Sequence, residues 1–435
     1  MRFDPMRAVP RHALLSLALL LLAAAPIARA AVPPPAGATL SLQQLVTEVV
    51  QNNPEIRAAR REMEAARQRV APAGALDDPM LEVGVVNWPA DSFSFRREDM
   101  TMKMIGLAQR FPYPGKRSLR RDVAARDAES AGHGYRETVN RVVREAKIAY
   151  YDLALAIETA RLVERNRLVL EQFLKLAEQR YAVGLGTQAD VLKAQTQLSK
   201  MLDELIRLGR ERPALEAELV RALGRGAAGP AIVPEPLALR ETLLVAAELI
   251  ERGERERPQL LALRSLIARA EKGLELAHKD AYPDFDVRLS YGQRENMPDG
   301  TRRSDMVNLT VAINLPVWRE SKITPRIAEA RAMHEQALDL YQAQRNELAT
   351  KLRQQLAAAE QNLRSARLYE NDILPQARLT VEAALAAYRV NRVDFMALLD
   401  SQMAVFNYEV AHAAAVAGYN KALAEIEWLT GRPPQ

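Results

Sequence analysis

The stretch RYAVGLGTQADVLKAQ at residues 180–195 returns 207 positions later as AYRVNRVDFMALLDSQ at residues 387–402. Tyr181, Gly184, Leu192 and Gln195 answer to Tyr388, Asn391, Leu399 and Gln402, and further on Gly224 answers to Gly431. Asn in the place of Gly keeps a residue that tolerates positive φ. Working outward, Pro54, Pro79 and Pro112 recur as Pro258, Pro283 and Pro316, each 204 residues later. Matches in one order with a single small shift make the chain two copies of one unit.

Each unit reads alike. Helical composition rich in Ala, Leu, Glu, Arg and Gln runs from Ser41 to about Arg69, and again from about Glu241 to Lys279. Two strand patterns follow. In the second copy Phe285, Val287, Leu289 and Tyr291 alternate with polar residues, and the return strand alternates Val307, Leu309, Val311, Ile313 and Leu315 with Asn308, Thr310, Ala312 and Asn314. One face of that hairpin is apolar and the other polar. The first copy runs out through Leu81, Val83 and Val85 and back through Ile105, Leu107 and Phe111, with a less regular alternation.

After Pro112 and Pro316 come very long helices. Ser118 to Tyr181 alone would stand about 96 Å tall at 1.5 Å per residue. A turn at Gly184 to Gly186 leads to Thr187, an N-cap with Asp190 three residues on, and Asp394 caps the equivalent helix after Asn391. The returning helices are expected over Thr187–Leu223 and Asp394–Thr430. The fold class is therefore mainly α with a pair of β-hairpins: a tall antiparallel helical wall, a hairpin at one end and helical turns (Gly184, Gly186, Asn391) at the other.

The first thirty residues place Arg2, Arg7 and Arg11 before an apolar run from Ala13 to Ala25 and an A-x-A site at Ala28 to Ala30, the pattern of a cleaved secretory signal. That run is too short to span a bilayer as a helix. The chain then divides into a leader (1–30), an N-terminal linker (31–40), a first repeat (41–226, hairpin 79–112), a second linker (227–240), a second repeat (241–431, hairpin 283–316) and a tail (432–435). Cysteine is absent, which excludes disulfides, thiolate metal sites and a lipid anchor on cysteine. The formal charge of +5 falls toward neutrality once the Arg-rich leader is removed, arguing against nucleic acid as partner. No later segment is apolar for long enough to cross a membrane as a helix, so entry into a membrane would use strands.

Four strands with one apolar face cannot lie open in hydrocarbon, where each unpaired edge group costs several kcal/mol. They either cover a soluble core or close a barrel shared among subunits, and with a secretory leader and so tall a wall the shared barrel is favoured. Eight, twelve or sixteen strands would follow from a dimer, trimer or tetramer. A soluble periplasmic coiled-coil adaptor or scaffold is the competing class.

The doubled unit, with RYAVG at 180–184 leading through Asp190, Val191 and Leu192 to Ala194 and Gln195, resembles the TolC-type outer-membrane efflux family over roughly residues 41–431. The resemblance implies a homotrimer, a shared twelve-stranded β-barrel in outer-membrane lipid and a periplasmic α-helical tunnel. It also implies docking on a periplasmic membrane-fusion adaptor and an inner-membrane pump of the resistance-nodulation-division type. The segment GLAQRFPYPGKR at 106–117 is similar to the heavy-metal branch of that family, whose pumps export copper, silver, zinc, cobalt or cadmium. Export of drugs or of proteins by the same kind of channel is the alternative.

By that resemblance Asp190 and Asp400 fall where acidic residues ring the periplasmic aperture, although both read equally as ordinary helix carboxylates. Val393 stands where a latching arginine is expected, with Arg392 beside it. Asp286, Arg288, Asn308 and Thr310 would line the pore if the polar strand face points inward, an ion pair without a role in selectivity being the plainer reading. Met100, Met102 and Met104 recur every second residue, three thioethers that suit Cu(I) or Ag(I) or that simply pack a strand face.

Enzyme readings fail one by one. Lys116 lacks both the glycine and the hydroxyl of a phosphate-binding loop, position 110 being Arg. His334 and Glu335 are followed by Leu338 where a zinc protease needs histidine, and His133, His278, His334 and His412 show no ligand spacing. Arg207, Arg210 and Arg212 read as a solvated helix face. No catalytic residue and no cofactor is expected.

Overall fold

Ser41 starts the helical wall with a capping box: its hydroxyl takes the N–H of Gln44, and the Gln44 side chain takes the N–H of Ser41. The computed structural model describes residues 39–226, 232–242 and 244–432. The expected leader (1–30), most of the N-terminal linker, part of the second linker and the end of the tail lie outside them. A short strand β1 (Thr39–Leu40) precedes helix α1 (Leu42–Asn52), and Asn53 both closes α1 and opens α2 (Pro54–Ala73). The helix expected to run unbroken from Ser41 to about Arg69 is thus two helices. The cause is Pro54, which lacks an N–H and holds Asn53 in the extended region at φ −67° and ψ 128°. The Asn53 side chain repairs the break by accepting from the N–H groups of Glu55 and Ile56 at 2.8 and 3.3 Å.

Strands β2 (Met80–Val86) and β3 (Met102–Phe111) come next, then helix α3 (Lys116–Ala182) of 67 residues and the returning α4 (Gln188–Leu223). At 1.5 Å per residue α3 is about 100 Å long. A strand β4 (Val233–Pro234) pairs in parallel with β1. The same order of elements then repeats in α5 (Ala246–Glu256), α6 (Pro258–Lys279), β5 (Phe285–Gln293), β6 (Met306–Ile313), α7 (Thr324–Leu368), α8 (Leu374–Arg389) and α9 (Phe395–Leu429). Arg257 and Pro258 break the second copy as Asn53 and Pro54 break the first.

The long second-copy helix differs from α3 in carrying π-helical turns at Arg319–Ile323 and Tyr369–Ile373. Each ends two residues before a proline, Pro325 and Pro375, so that the residue four back from the proline lies inside the turn. A proline ring clashes with the carbonyl four residues back, and widening the preceding turn relieves the clash.

Helix α3 packs against α2, α4, α6 and α9, and α9 packs against α7 and α8. One core forms around Leu45, Val49, Leu153, Leu219 and Leu223, and a second around Leu260, Leu348, Leu352, Tyr419 and Leu429. A third core, with Leu170, Phe173, Ala194, Phe395 and Leu398, fills the wall toward the helical turns. Strands β2, β3, β5 and β6 form one antiparallel sheet in that order, with β2 and β6 at the edges.

Candidate functional site: an inverted sheet and a helical tip

Cross-strand register decides what the sheet presents. Leu81, Leu107, Leu289 and Leu309 stand in one row across all four strands, and Val83, Ile105, Tyr291 and Val307 in another. All eight side chains are exposed, Leu81 at 66% and Val307 at 70%. The opposite face carries the intervening residues, and there Met102, Gly106, Ala108, Ser290 and Gly292 are buried. Burial on the small and polar side is confined to the two middle strands, while Asp286, Arg288, Asn308 and Thr310 are exposed there; the wholly apolar rows are exposed too, the reverse of a sheet lying on a soluble core. Close approach demands this composition: a Cβ on Gly106 would lie 2.9 Å from Ser290 Cβ. The first hairpin shares the facing of the second, since Leu81 pairs with Leu107 and Val83 with Ile105.

The residues expected to line a pore lie on that polar side. Arg288 stands opposite Thr310, Ser290 opposite Asn308, and Asp286 opposite Ala312. Arg288 pairs with Glu82 at 3.0 Å across β3, rather than with Asp286. The expectation of three methionines on one strand face needs correction. Strand β3 begins at Met102, and Met100 sits exposed in the turn before it, where Thr101 donates from its hydroxyl to Asn87 O at 2.7 Å and from its N–H to Glu98 O. Among the described residues no group of three or more His, Asp or Glu could hold a metal ion.

The segment at 106–117 forms the joint between sheet and helices. Gly115 turns the chain at φ 94°, in the left-handed region, and so delivers buried Lys116 to Asp284. Lys116 Nζ donates to Asp284 Oδ1 at 2.8 Å and to Tyr282 O at 2.9 Å. Asp284 also accepts from the Tyr113 N–H at 2.9 Å and from Arg110 Nη2 at 3.1 Å. Tyr113 stacks on Tyr282 at 4.6 Å between centroids. Burial of Asp284 works against its charge, but the hydrogen bonds from Lys116, Tyr113 and Arg110 outweigh it and hold the carboxyl below its ordinary value.

At the far end both turns close in the same way. Leu185 N–H reaches Arg180 O at 2.8 Å with Gly184 at φ 74°, and Arg392 N–H reaches Ala387 O at 2.9 Å with Asn391 at φ 61°. Thr187 and Asp190 then exchange side-chain and backbone bonds in a capping box, while the Asp394 side chain accepts from Ala397 N–H. Gly184, Gly186, Asp190, Asn391 and Arg392 line one shallow hollow of about 550 Å³. Asp400 lies outside that lining, exposed on α9. Asp190 is thus brought together with Arg392, and Asp400 is not.

Sequence reasoning missed Arg180. It is buried, its guanidinium lies 4.5 Å from the Tyr388 ring centroid, and it donates to Tyr388 O at 2.7 Å, Arg389 O at 3.2 Å and Leu185 O at 3.2 Å. It therefore satisfies carbonyls at the end of α8 as well as in its own turn. Burial pushes the Tyr388 phenol above its ordinary value, a tendency that Arg180 opposes and Asp190 reinforces. The signal was an asymmetry in the repeat: Arg180 stands where the second copy has Ala387.

With this geometry in place, the likeness to known proteins is informative. The model of the family described as outer membrane efflux protein matches residues 45–225 and 249–432. The cobalt-zinc-cadmium resistance protein CzcC of Cupriavidus metallidurans is 21% identical over 403 residues, covering 92% of this chain and 92% of its own. The outer membrane protein TolC of Vibrio cholerae is 20% identical over 375 residues, covering 84% of this chain and 85% of its own. The solved structure of the outer membrane protein VceC from Vibrio cholerae superposes with a TM-score of 0.75 at 18% identity, over 90% of this chain and 96% of that one. At that identity the likeness is one of fold.

Proposed function

The chain belongs to the outer membrane efflux protein family, a family of channels and not of enzymes, and from that premise we propose that three copies close a twelve-stranded β-barrel in the outer membrane. The observation that carries this is the inverted sheet: an exposed apolar face, an opposite face of small and polar residues buried only along its middle strands, and two unpaired edges at β2 and β6. In lipid an apolar exterior is stabilising and an open edge is not, so β6 of one copy would pair with β2 of the next. The polar face then lines the lumen, with Asp286, Arg288, Asn308 and Thr310 on its wall. The helical wall continues the duct into the periplasm, and a periplasmic adaptor and an inner-membrane resistance-nodulation-division pump supply cargo and energy.

The helical tip is the gate in this reading. Asp190 and Arg392, sharing one hollow, narrow the aperture, and Asp400 adds negative charge to it. Opening is an iris-like movement of the tip helices on adaptor binding. Replacing Asp190 and Asp400 with Ala changes single-channel conductance or its cation dependence in planar bilayers; unchanged traces would remove the gate assignment.

The cargo is a heavy-metal cation. The likeness to CzcC along nearly the whole chain supports this, as does the 106–117 segment that builds the Lys116 joint. The test is growth and metal accumulation of a strain lacking this chain across copper, silver, zinc, cobalt, cadmium and a panel of drugs. Selective metal sensitivity, restored by the intact gene, is expected. Sensitivity to drugs alone would keep the channel and discard the metal.

A further inference from the structure

We propose that Met102, Met104 and Met306 together bind a soft monovalent cation, Cu(I) or Ag(I), on the polar face of the sheet. Register places Gly84, Met104, Gly292 and Met306 in one row across the four strands. Neighbouring strands lie about 4.8 Å apart, so Met104 and Met306 flank Gly292 at roughly that distance on either side. Gly292 has no side chain to separate them. The position a Cβ would occupy there is 2.4 Å from Met102 Sδ and 3.2 Å from Met102 Cγ, so Met102 lays its sulfur over the glycine from the next position along the same face.

Three methionines therefore adjoin one another on this face, two from one strand and the third from a strand some two hundred residues away in sequence, with the Met102 sulfur filling the place over Gly292 between the other two. Met102 is 5% exposed, and Met104 and Met306 are half-buried. On the other side of Met104, Gly84 leaves open space, with nothing within 4 Å of where its Cβ would be. Thioether sulfur is a soft ligand that selects Cu(I) and Ag(I) over the harder divalent ions.

Charged groups just past the end of β5 are already engaged. Arg294, beyond the end of β5, donates to Asp305, Ser304 and Asp99, and Glu295 is held by Lys103 and Arg96. Recognition at the three methionines then falls to the sulfurs.

The site rests on the efflux reading only for how the ion arrives, so binding is measured on purified protein in detergent, without pump or adaptor. Wild type is expected to withdraw one Cu(I) per protomer from a chromophoric Cu(I) chelator, to bind Ag(I) in competition with it, and to leave Zn(II) unbound. The M102L/M104L/M306L protein, close to wild type in side-chain volume, should bind about tenfold more weakly or not at all while keeping its assembled, heat-resistant form. M100L should bind as wild type does. If the triple variant does not assemble, M306L alone is read, with the same weakening expected. Equal binding by wild type and triple variant, or loss of binding in M100L, overturns the site. A protein that binds neither ion yet restores efflux in cells refutes the site and leaves the channel standing.

Discussion

Lys116 Nζ lies 2.8 Å from Asp284 Oδ1, with 4% and 8% of the two side chains exposed, at the point where the sheet gives way to the long helices. A pair so far removed from water is stabilising only while both partners are charged and fully bonded. Asp284→Ala leaves Lys116 with Tyr282 O and a carboxylate of Asp280 no nearer than 3.8 Å, and should cost about 3 kcal/mol. Asp284→Ala combined with Lys116→Met should cost less than the single change, because no buried charge is then left alone. Thermal unfolding of the purified proteins in detergent measures both.

The same pair sets a pH dependence. The Asp284 carboxyl is held below its ordinary value of 3.8 in the folded chain, so the unfolded chain takes up its proton first as pH falls. Its contribution is complete above that ordinary value and disappears as pH falls through the lower, folded one. Wild type should therefore lose stability between pH 4 and lower values more steeply than Asp284→Asn, measured as melting temperature against pH. Parallel curves would mean that other carboxylates govern acid unfolding.

Arg180 joins the two tip turns through carbonyls of α8, so its loss should be felt locally rather than globally. Arg180→Met keeps the apolar stem and removes the donors, taking one bond from Arg389 O and leaving Tyr388 O with backbone donors only, the Asn391 N–H among them. The expected cost is about 2 kcal/mol, the range for hydrogen bonds to a charged group. Amide hydrogen exchange should quicken across residues 180–190 and 387–395 and stay unchanged at the Lys116 joint. Unchanged exchange at the tip would mean that the helix packing beneath it is sufficient alone.

Much of this architecture was legible because the deciding signals are local. Gly184 and Asn391 announce left-handed turns, Thr187 and Asp394 announce the caps, and strict alternation from Phe285 to Tyr291 announces a two-faced strand. What was hidden depends on partners far away in sequence. Helical composition on both sides of Asn53 concealed the break there, although Pro54 was in plain view. Nothing near Met306 tells that β6 carries it into one row with Met104 across Gly292, and nothing near Arg180 tells that α8 ends within its reach. The π-helical turns were missed for a different reason: Pro325 and Pro375 were compatible with helix starts as well as with widened turns.

Gly209 within α4 and Gly224 at its C-cap should respond to alanine in opposite senses. Gly224 ends the helix at φ 67°, and a Cβ there would lie 2.4 Å from Asn52 O and 2.8 Å from Asn52 C, a backbone contact that cannot yield as a flexible side chain would. Gly224→Ala should destabilise by about 1–3 kcal/mol, from strain and from separation of α4 from the break at Asn53. Gly209 is exposed within the helix and a Cβ meets nothing within 4 Å, so Gly209→Ala should stabilise by about 0.5–1 kcal/mol. Melting temperatures of the two single variants against wild type test the contrast.

The facing of the sheet yields the most direct test of the membrane reading. Leu289 sits in the middle of the exposed leucine row, 53% exposed, with Leu107 and Leu309 on either side. If that face meets hydrocarbon, Leu289→Arg should cost about 2–4 kcal/mol near the bilayer midplane and sharply reduce heat-resistant oligomer in the outer-membrane fraction. Thr310 is on the opposite face, beside Arg288. There Thr310→Arg should leave assembly intact and shift conductance toward anions, because a lumen charge is solvated and acts on the passing ion. In a sheet that stays in water both positions, exposed as they stand, tolerate arginine, and neither variant is selectively lost. Membrane fractionation of the two variants, followed by single-channel recording of whichever assembles, separates these outcomes.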